Sequence, residues 1–202
     1  MNYTLYNNDI PEDLFNNCKS IAIDTETMGL NPHLNRLCLV QISSGDNHAH
    51  LIKTDDYKKA INLKKLLSNK NVEKLFHFAR FDVAVIKKYL DVSLENIFCT
   101  KIASKLVRTY TDKHGLKELC RTVGIEISKE EQTSDWGAFE LSESQLKYAA
   151  GDVLYLHKIK ENLVMMLKRE NKFELALECF DFLKTRADLD LNYGESDIFS
   201  HR

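Results

Sequence analysis

The chain has 202 residues, 44% of them hydrophobic and 29% charged, enough for one domain with a sizeable core. Its formal net charge of −2 lacks the global basic excess of a protein that grips long nucleic acid along the backbone. Any nucleic acid is therefore expected in a small site or on a local basic patch. No run of about 18 apolar residues occurs, so no membrane span is expected. Met1 to Asp9 is polar and lacks an apolar signal core, which predicts a cytoplasmic protein. The five cysteines, Cys18, Cys38, Cys99, Cys120 and Cys179, are scattered and include no Cys-x-x-Cys. They argue against a disulfide framework or structural zinc and for buried free thiols.

Tyr3 to Tyr6 reads as a short strand. Pro11, with Glu12 and Asp13 behind it, suits the first turn of a helix running to Lys19. Ile21 to Thr27, Ile-Ala-Ile-Asp-Thr-Glu-Thr, reads as a strand. Side chains two apart on a strand share a face, so Asp24 and Glu26 lie side by side with Ala22. Two like charges so placed repel. A divalent cation with oxygen ligands supplies a reason for the pair; an exposed polar face on an edge strand is the alternative.

Gly29-Leu30-Asn31-Pro32 marks a turn. Leu37 to Ile42 and His48 to Ile52 read as strands joined by the hairpin loop Ser43 to Asn47. Helical spacing predicts a helix from Tyr57 to Leu67. Val72 to Phe76 and Ile97 to Cys99 are short strands, with a helix from Arg80 to Leu90 between them, and helices follow over Lys101 to Val107 and Leu116 to Val123. Ser142 opens a helix with a capping box completed by Gln145, and Ala149, Val153, Leu156, Leu163 and Leu167 form its apolar stripe. Phe173 to Leu183 is the last predicted helix, and the tail from Thr185 to Arg202 is expected to fray on its own. The whole is an α/β fold, a mixed sheet with an antiparallel start. No linker, repeat or low-complexity tract divides it, so residues 1–202 read as one domain.

Lys101, Lys105, Arg108, Lys113, Lys117 and Arg121 face only Asp112 and Glu118 within their stretch. This is either a solvated helical face or a phosphate-handling surface. Two further acids accompany Asp24 and Glu26. Asp82 heads the helix at Arg80. Asp152 follows Tyr148 by four residues, so phenol and carboxylate lie one turn apart.

Asp24-x-Glu26, Phe81-Asp82 and Tyr148-x-x-x-Asp152 resemble the three motifs of the 3′–5′ exonucleases that use four acidic residues and a tyrosine, with ribonuclease D the nearest general relative. Ser134-Asp135-Trp136, Leu141-Ser142 and the run from Gln145 to Leu156 extend the match. Phe78 stands where ribonuclease D usually has asparagine, and Ala138-Phe139-Glu140 replaces its Arg-Pro; both point away from transfer-RNA trimming. Cys99 to Leu106, Arg108 to Leu116, and Arg186 to Leu191 with Asp197-Ile198-Phe199 are similar to the nanoRNase C (NrnC) family.

That resemblance implies a ribonuclease H-like exonuclease fold with a mixed five- or six-stranded sheet flanked by helices. It implies a 3′–5′ exoribonuclease that hydrolyses short RNA, dinucleotides above all, to nucleoside 5′-monophosphates, and that can also degrade DNA. Two divalent cations, Mg2+ or Mn2+, would be held by Asp24, Glu26, Asp82 and Asp152, with Asp24 bridging and Tyr148 orienting or deprotonating the attacking water. Leu30 would wedge between the terminal bases, although a core leucine is equally compatible. His77, Arg108, Tyr110, Lys113 and His114 are candidate substrate contacts, with a plain surface histidine as the alternative for His114. The family also implies an octamer, with 185–202 ordered by a neighbouring subunit. Ribonuclease D-type trimming of structured RNA ends and an inactive nucleic-acid-binding exonuclease fold are the rival readings.

Overall fold

The structure, a computed structural model, describes residues 1–127, 134–194 and 198–201. Six strands form one mixed sheet: β1 (Asn2–Asn7), β2 (Ser20–Thr27), β3 (Leu37–Ser43), β4 (His48–Lys53), β5 (Glu73–Phe76) and β6 (Ile97–Cys99). Their order is β1-β4-β3-β2-β5-β6. β2, β3 and β4 make the antiparallel meander, while β1 joins β4, β5 joins β2 and β6 joins β5 in parallel. The mixed sheet read from the sequence thus forms at the upper strand count. Every residue of β3 is buried, as expected of a central strand covered on both faces.

Among the described residues seven helices flank the sheet: α1 (Ile61–Ser68), α2 (Ala79–Leu90), α3 (Thr100–Val107), α4 (Leu116–Thr122), α5 (Glu143–Leu154), α6 (Leu156–Arg169) and α7 (Phe173–Tyr193). α5 lies across β1, β2, β3 and β4, and α2 packs between the sheet and α7. Among the described residues no helix is long and apolar enough to cross a membrane. All five cysteines are free; Cys38, Cys99 and Cys120 are buried, Cys18 and Cys179 half-buried.

Four sequence expectations need correction. Pro11 to Lys19 is a series of turns, not a helix. Its backbone bonds span three residues, Leu14 to Pro11, Asn16 to Asp13 and Cys18 to Phe15, and buried Ile10 and Phe15 anchor it. The helix expected from Tyr57 begins only at Ile61. Its first amides, Asn62 and Leu63, donate to the Asp9 carboxylate at 2.9 and 2.8 Å, an N-terminal cap reached from 53 residues away. The helix opened by Ser142 is two helices, broken at Tyr155 (φ −111°, ψ −4°). The first half packs on the sheet and the second on α3, so one continuous rod could not serve both.

The fourth concerns the C-terminus. α7 continues to Tyr193 rather than ending at Leu183. The Asp190 carboxylate accepts from Arg80 Nε and Nη2 at 2.6 and 2.7 Å and from Arg186 Nη2 at 2.6 Å. Burial raises its pKa, but the bonds from Arg80 and Arg186 outweigh that and hold it below the usual carboxylate range. His33 meets the Asp190 carbonyl at 3.0 Å. The expected fraying is thereby prevented as far as Tyr193; Asp197 lies outside the described residues. Hydrogen bonds to charged groups contribute about 1.5–3 kcal/mol. Asp190→Ala is therefore expected to lower unfolding stability by about that amount, and to speed amide exchange in the last turns of α7 while the sheet stays protected.

Candidate active site

β2 presents Asp24 and Glu26 on the face that α5 covers, and α5 brings Asp152 down onto them. One carboxylate oxygen from each of Asp24, Glu26 and Asp152 lies within 4.8 Å of the others. The helix that delivers Asp152 is fixed at its start. Ser142 Oγ accepts from Gln145 N at 3.2 Å, and the Gln145 side chain accepts from Ser142 N at 2.8 Å. Gln145 Nε2 also donates to the Asp135 carbonyl at 3.1 Å, which ties the preceding segment to the helix. Trp136, nearly fully buried, packs on Tyr148 with ring centroids 6.1 Å apart, so the phenol is held in place from behind.

Asp82 stands outside the trio and approaches from the other side of β2. It lies in the first turn of α2 and is buried. Thr25 Oγ1 donates to it at 2.7 Å; Thr25 alternates with Asp24 and Glu26 along the strand, so it faces α2 while they face α5. Asp82 is still close enough for its charge and those of Asp24 and Glu26 to be felt mutually.

All four carboxyl groups hold their protons more tightly than usual. Burial raises Asp24 to about 7. Burial and then the charges of Asp24, Asp152 and Asp82 raise Glu26 to about 10. Burial followed by the Asp24 charge raises both Asp82 and Asp152. Burial and the carboxylates of Asp152, Glu26 and Asp24 push the Tyr148 phenol above its ordinary range. Cys120 on α4, close enough to feel Asp152, is raised to about 12 by burial first and that carboxylate second. α4 and the basic stretch that contains it therefore border the site.

The other sequence candidates divide. Leu30 is 89% exposed just beyond β2, which removes the core-leucine alternative. Gly29 before it is closely approached by the Asn35 side chain, whose Oδ1 would lie 2.8 Å from an added Cβ. His77 Nδ1 is hydrogen-bonded to Thr100 Oγ1 at 2.9 Å. Arg108 is turned inward and buried, donating to the Lys113 carbonyl at 3.0 Å; it fastens its loop instead of offering a free guanidinium. Tyr110 and Lys113 are exposed. His114 is half-buried, 2.9 Å from Ser104 Oγ, not a plain surface histidine.

Phe78 carries more than the sequence suggested. It caps α2 one turn before Asp82, in left-handed backbone (φ 70°) that bulky residues rarely adopt. Its ring is 46% exposed, with Lys101 Nζ 4.2 Å from the centroid. Only its departure from the ribonuclease D pattern signalled it.

The donor set fits divalent cations. It is all oxygen, clustered and mutually repelling, which is what a hard cation relieves. The pKa shifts give a test. A carboxyl group whose folded pKa is raised stabilises the fold below its unfolded value and loses that contribution as pH rises through the folded value. For Asp24 the window runs from 3.8 to about 7. With chelator present, thermal stability is expected to fall across that window, and magnesium is expected to restore it, more so at the upper end. Melting curves at stepped pH with and without the cation measure this.

Residues 5–168 match the family model described as 3′–5′ exonuclease. The solved structure of Brucella melitensis NrnC superposes with a TM-score of 0.95 at 51% identity, covering 100% of both chains. Structures of that Brucella protein bound to pGG and with bound Mg2+ match at 50% identity, with TM-scores of 0.95 and 0.94 and the same full coverage. Ribonuclease D of Gluconacetobacter diazotrophicus is 32% identical over 158 residues, 76% of this chain and 39% of that protein. The chain thus spans about two fifths of the curated ribonuclease D relatives it matches. With an acidic trio on β2 and α5, and this likeness along its whole length, the chain belongs to the 3′–5′ exonuclease family, in the ribonuclease D-like group that includes NrnC.

Proposed function

We propose that the chain is a metal-dependent 3′–5′ exoribonuclease that hydrolyses short RNA, dinucleotides above all, to nucleoside 5′-monophosphates, and also accepts DNA. The observation that carries the reading is the convergence of Asp24, Glu26 and Asp152 within 4.8 Å, with Asp82 and Tyr148 beside them. The pGG ligand of the Brucella relative supports a short substrate, and its Mg2+ supports a divalent cation. A two-cation site, with Mg2+ or Mn2+, supplies an activated water and charge relief at the leaving oxygen. Asp24, Glu26, Asp82 and Asp152 would hold the cations, with Glu26 and Asp152 serving the attacking water, Asp82 the leaving oxygen, and Asp24 both.

Water attacks the phosphorus in line. The bond from phosphorus to the 3′ oxygen of the preceding nucleotide breaks, that oxygen takes up a proton, and the 5′ phosphate stays on the released nucleotide. Tyr148, whose phenol is pushed up by burial and its acidic neighbours, orients or deprotonates the attacking water. Thr25 keeps the Asp82 carboxylate from rotating. Leu30, exposed beside the metal-binding strand, separates the last two bases. Tyr110, Lys113 and His114 on the loop bordering α4, with His77, meet the phosphates, and Arg108 fixes that loop.

The proposal places the whole of 1–202 in a single cytoplasmic domain that assembles as an octamer, with the segment from 185 onward in subunit contacts. An apolar groove of about 480 Å³ between α7 and the start of α2 supports self-association; it is lined by Phe78, Cys99, Ile102, Leu175, Phe182 and Leu183. A monomer in light scattering would overturn the assembly.

Incubation with 5′-labelled RNAs of two to ten nucleotides, with and without chelator, tests the substrate. Dinucleotides are expected to disappear first, and only with the cation. Long RNA shortened while dinucleotide persists would favour the ribonuclease D reading. Asp24→Asn and Asp152→Asn are expected to abolish turnover with the fold intact. Tyr148→Phe is expected to lower kcat by about 10²-fold or more with little change in KM, as for a group acting mainly in the transition state.

A further inference from the structure

Gln41 sits in the middle of β3, is 0% exposed, and has no hydrogen-bond partner at Oε1 or Nε2 among the described residues. A buried polar group without a partner destabilises the fold, and a leucine or methionine would fill the same space without that cost. The residue therefore needs a reason.

The sheet register supplies one. Gln41 is paired directly with Asp24 on β2 and with Leu51 on β4. Opposed residues in an antiparallel pair point to the same face, with Cβ atoms about 4.5–5.5 Å apart. Its diagonal neighbours on β2 are Ala22 and Glu26. On its own strand Leu39 is apolar, and the Ser43 hydroxyl already donates to the His48 carbonyl at 2.7 Å. The acceptor nearest in register is thus the Asp24 carboxylate, with Glu26 on β2 diagonal to Gln41 and Asp152 of α5 on the same face.

We propose that Gln41 is a positioning residue for Asp24: its amide N–H donates to the Asp24 oxygen turned away from the divalent cations, and so fixes the rotation of that carboxylate. The inference rests on the cation reading above. A glutamine amide has two donors, and the terminal torsion of an aspartate is broad. The proposed contact asks for a turn about that bond and no change in the strand pairing that sets Gln41 opposite Asp24. A partner of this kind orients a ligand and raises its effectiveness without touching the cation or the substrate.

The test is magnesium calorimetry on wild type, Gln41→Met and Gln41→Asn, beside thermal melts in chelator. Gln41→Met is expected to melt no lower than wild type without the cation, because an unpartnered polar group is gone. It is expected to bind magnesium about 10–100-fold more weakly. Gln41→Asn, whose shorter amide falls short of Asp24, is expected to show a similar loss. Wild type that binds magnesium while a folded variant binds it equally well overturns the role of Gln41 alone. Wild type that binds no magnesium overturns the cation reading itself. A crystal structure of the wild type with magnesium decides the matter even if neither variant folds. Gln41 Nε2 within hydrogen-bond distance of Asp24 supports the inference, and an amide turned away from Asp24 overturns it.

Discussion

Mutual repulsion among half-buried carboxylates is the constraint around which this molecule is arranged. Asp24 and Glu26 are two residues apart on a central strand, and α5 adds Asp152 to the same face. Left to themselves the three would separate or stay protonated; the raised pKa of Glu26, due first to burial and then to the charges of Asp24, Asp152 and Asp82, records that tension. The surrounding structure holds them in place. β2 is locked between β3 and β5, and the capping box at Ser142 sets where α5 begins. Trp136 backs the Tyr148 ring. Each device is rigid and local, which suits a site whose ligands must hold their geometry before the cation arrives.

The second acidic approach depends on longer reach. α2 delivers Asp82 from the opposite face, and its first turn is braced by Arg80, which is bound to Asp190 near the end of α7. The Asp190 carbonyl also meets His33, in the turn that follows Leu30. One residue near the C-terminus therefore fastens two parts of the site's rim that are far apart in the chain. A short C-terminal helix would leave both without that brace.

Period and capping made the strands and the chemistry legible in the sequence. The alternation in Ile21 to Thr27 gave the shared face of Asp24 and Glu26, and the Ser142-x-x-Gln145 pattern gave the start of α5. The misses came from interactions no local pattern carries. α1 is capped by Asp9 across the fold, so its start could not be read from its own residues. The break at Tyr155 reflects two packing partners, with neither proline nor glycine to announce it. The end of α7 is held by charge pairing with α2, in a stretch short of large apolar residues. Arg108 looked like a free cation because burial is invisible in a count of charges. Gln41 gave no signal at all, since a single glutamine in an apolar strand acquires meaning only through its register with Asp24.

The thiol of Cys120, raised to about 12 beside Asp152, has a bearing on redox chemistry. Oxidants and alkylating agents attack the thiolate, and at neutral pH roughly one in 10⁵ such thiols would be ionised. Burial first, and the Asp152 carboxylate second, thus keep this sulfur chemically quiet. Peroxide stress would reach the half-buried Cys18 and Cys179 before it reached the buried Cys120.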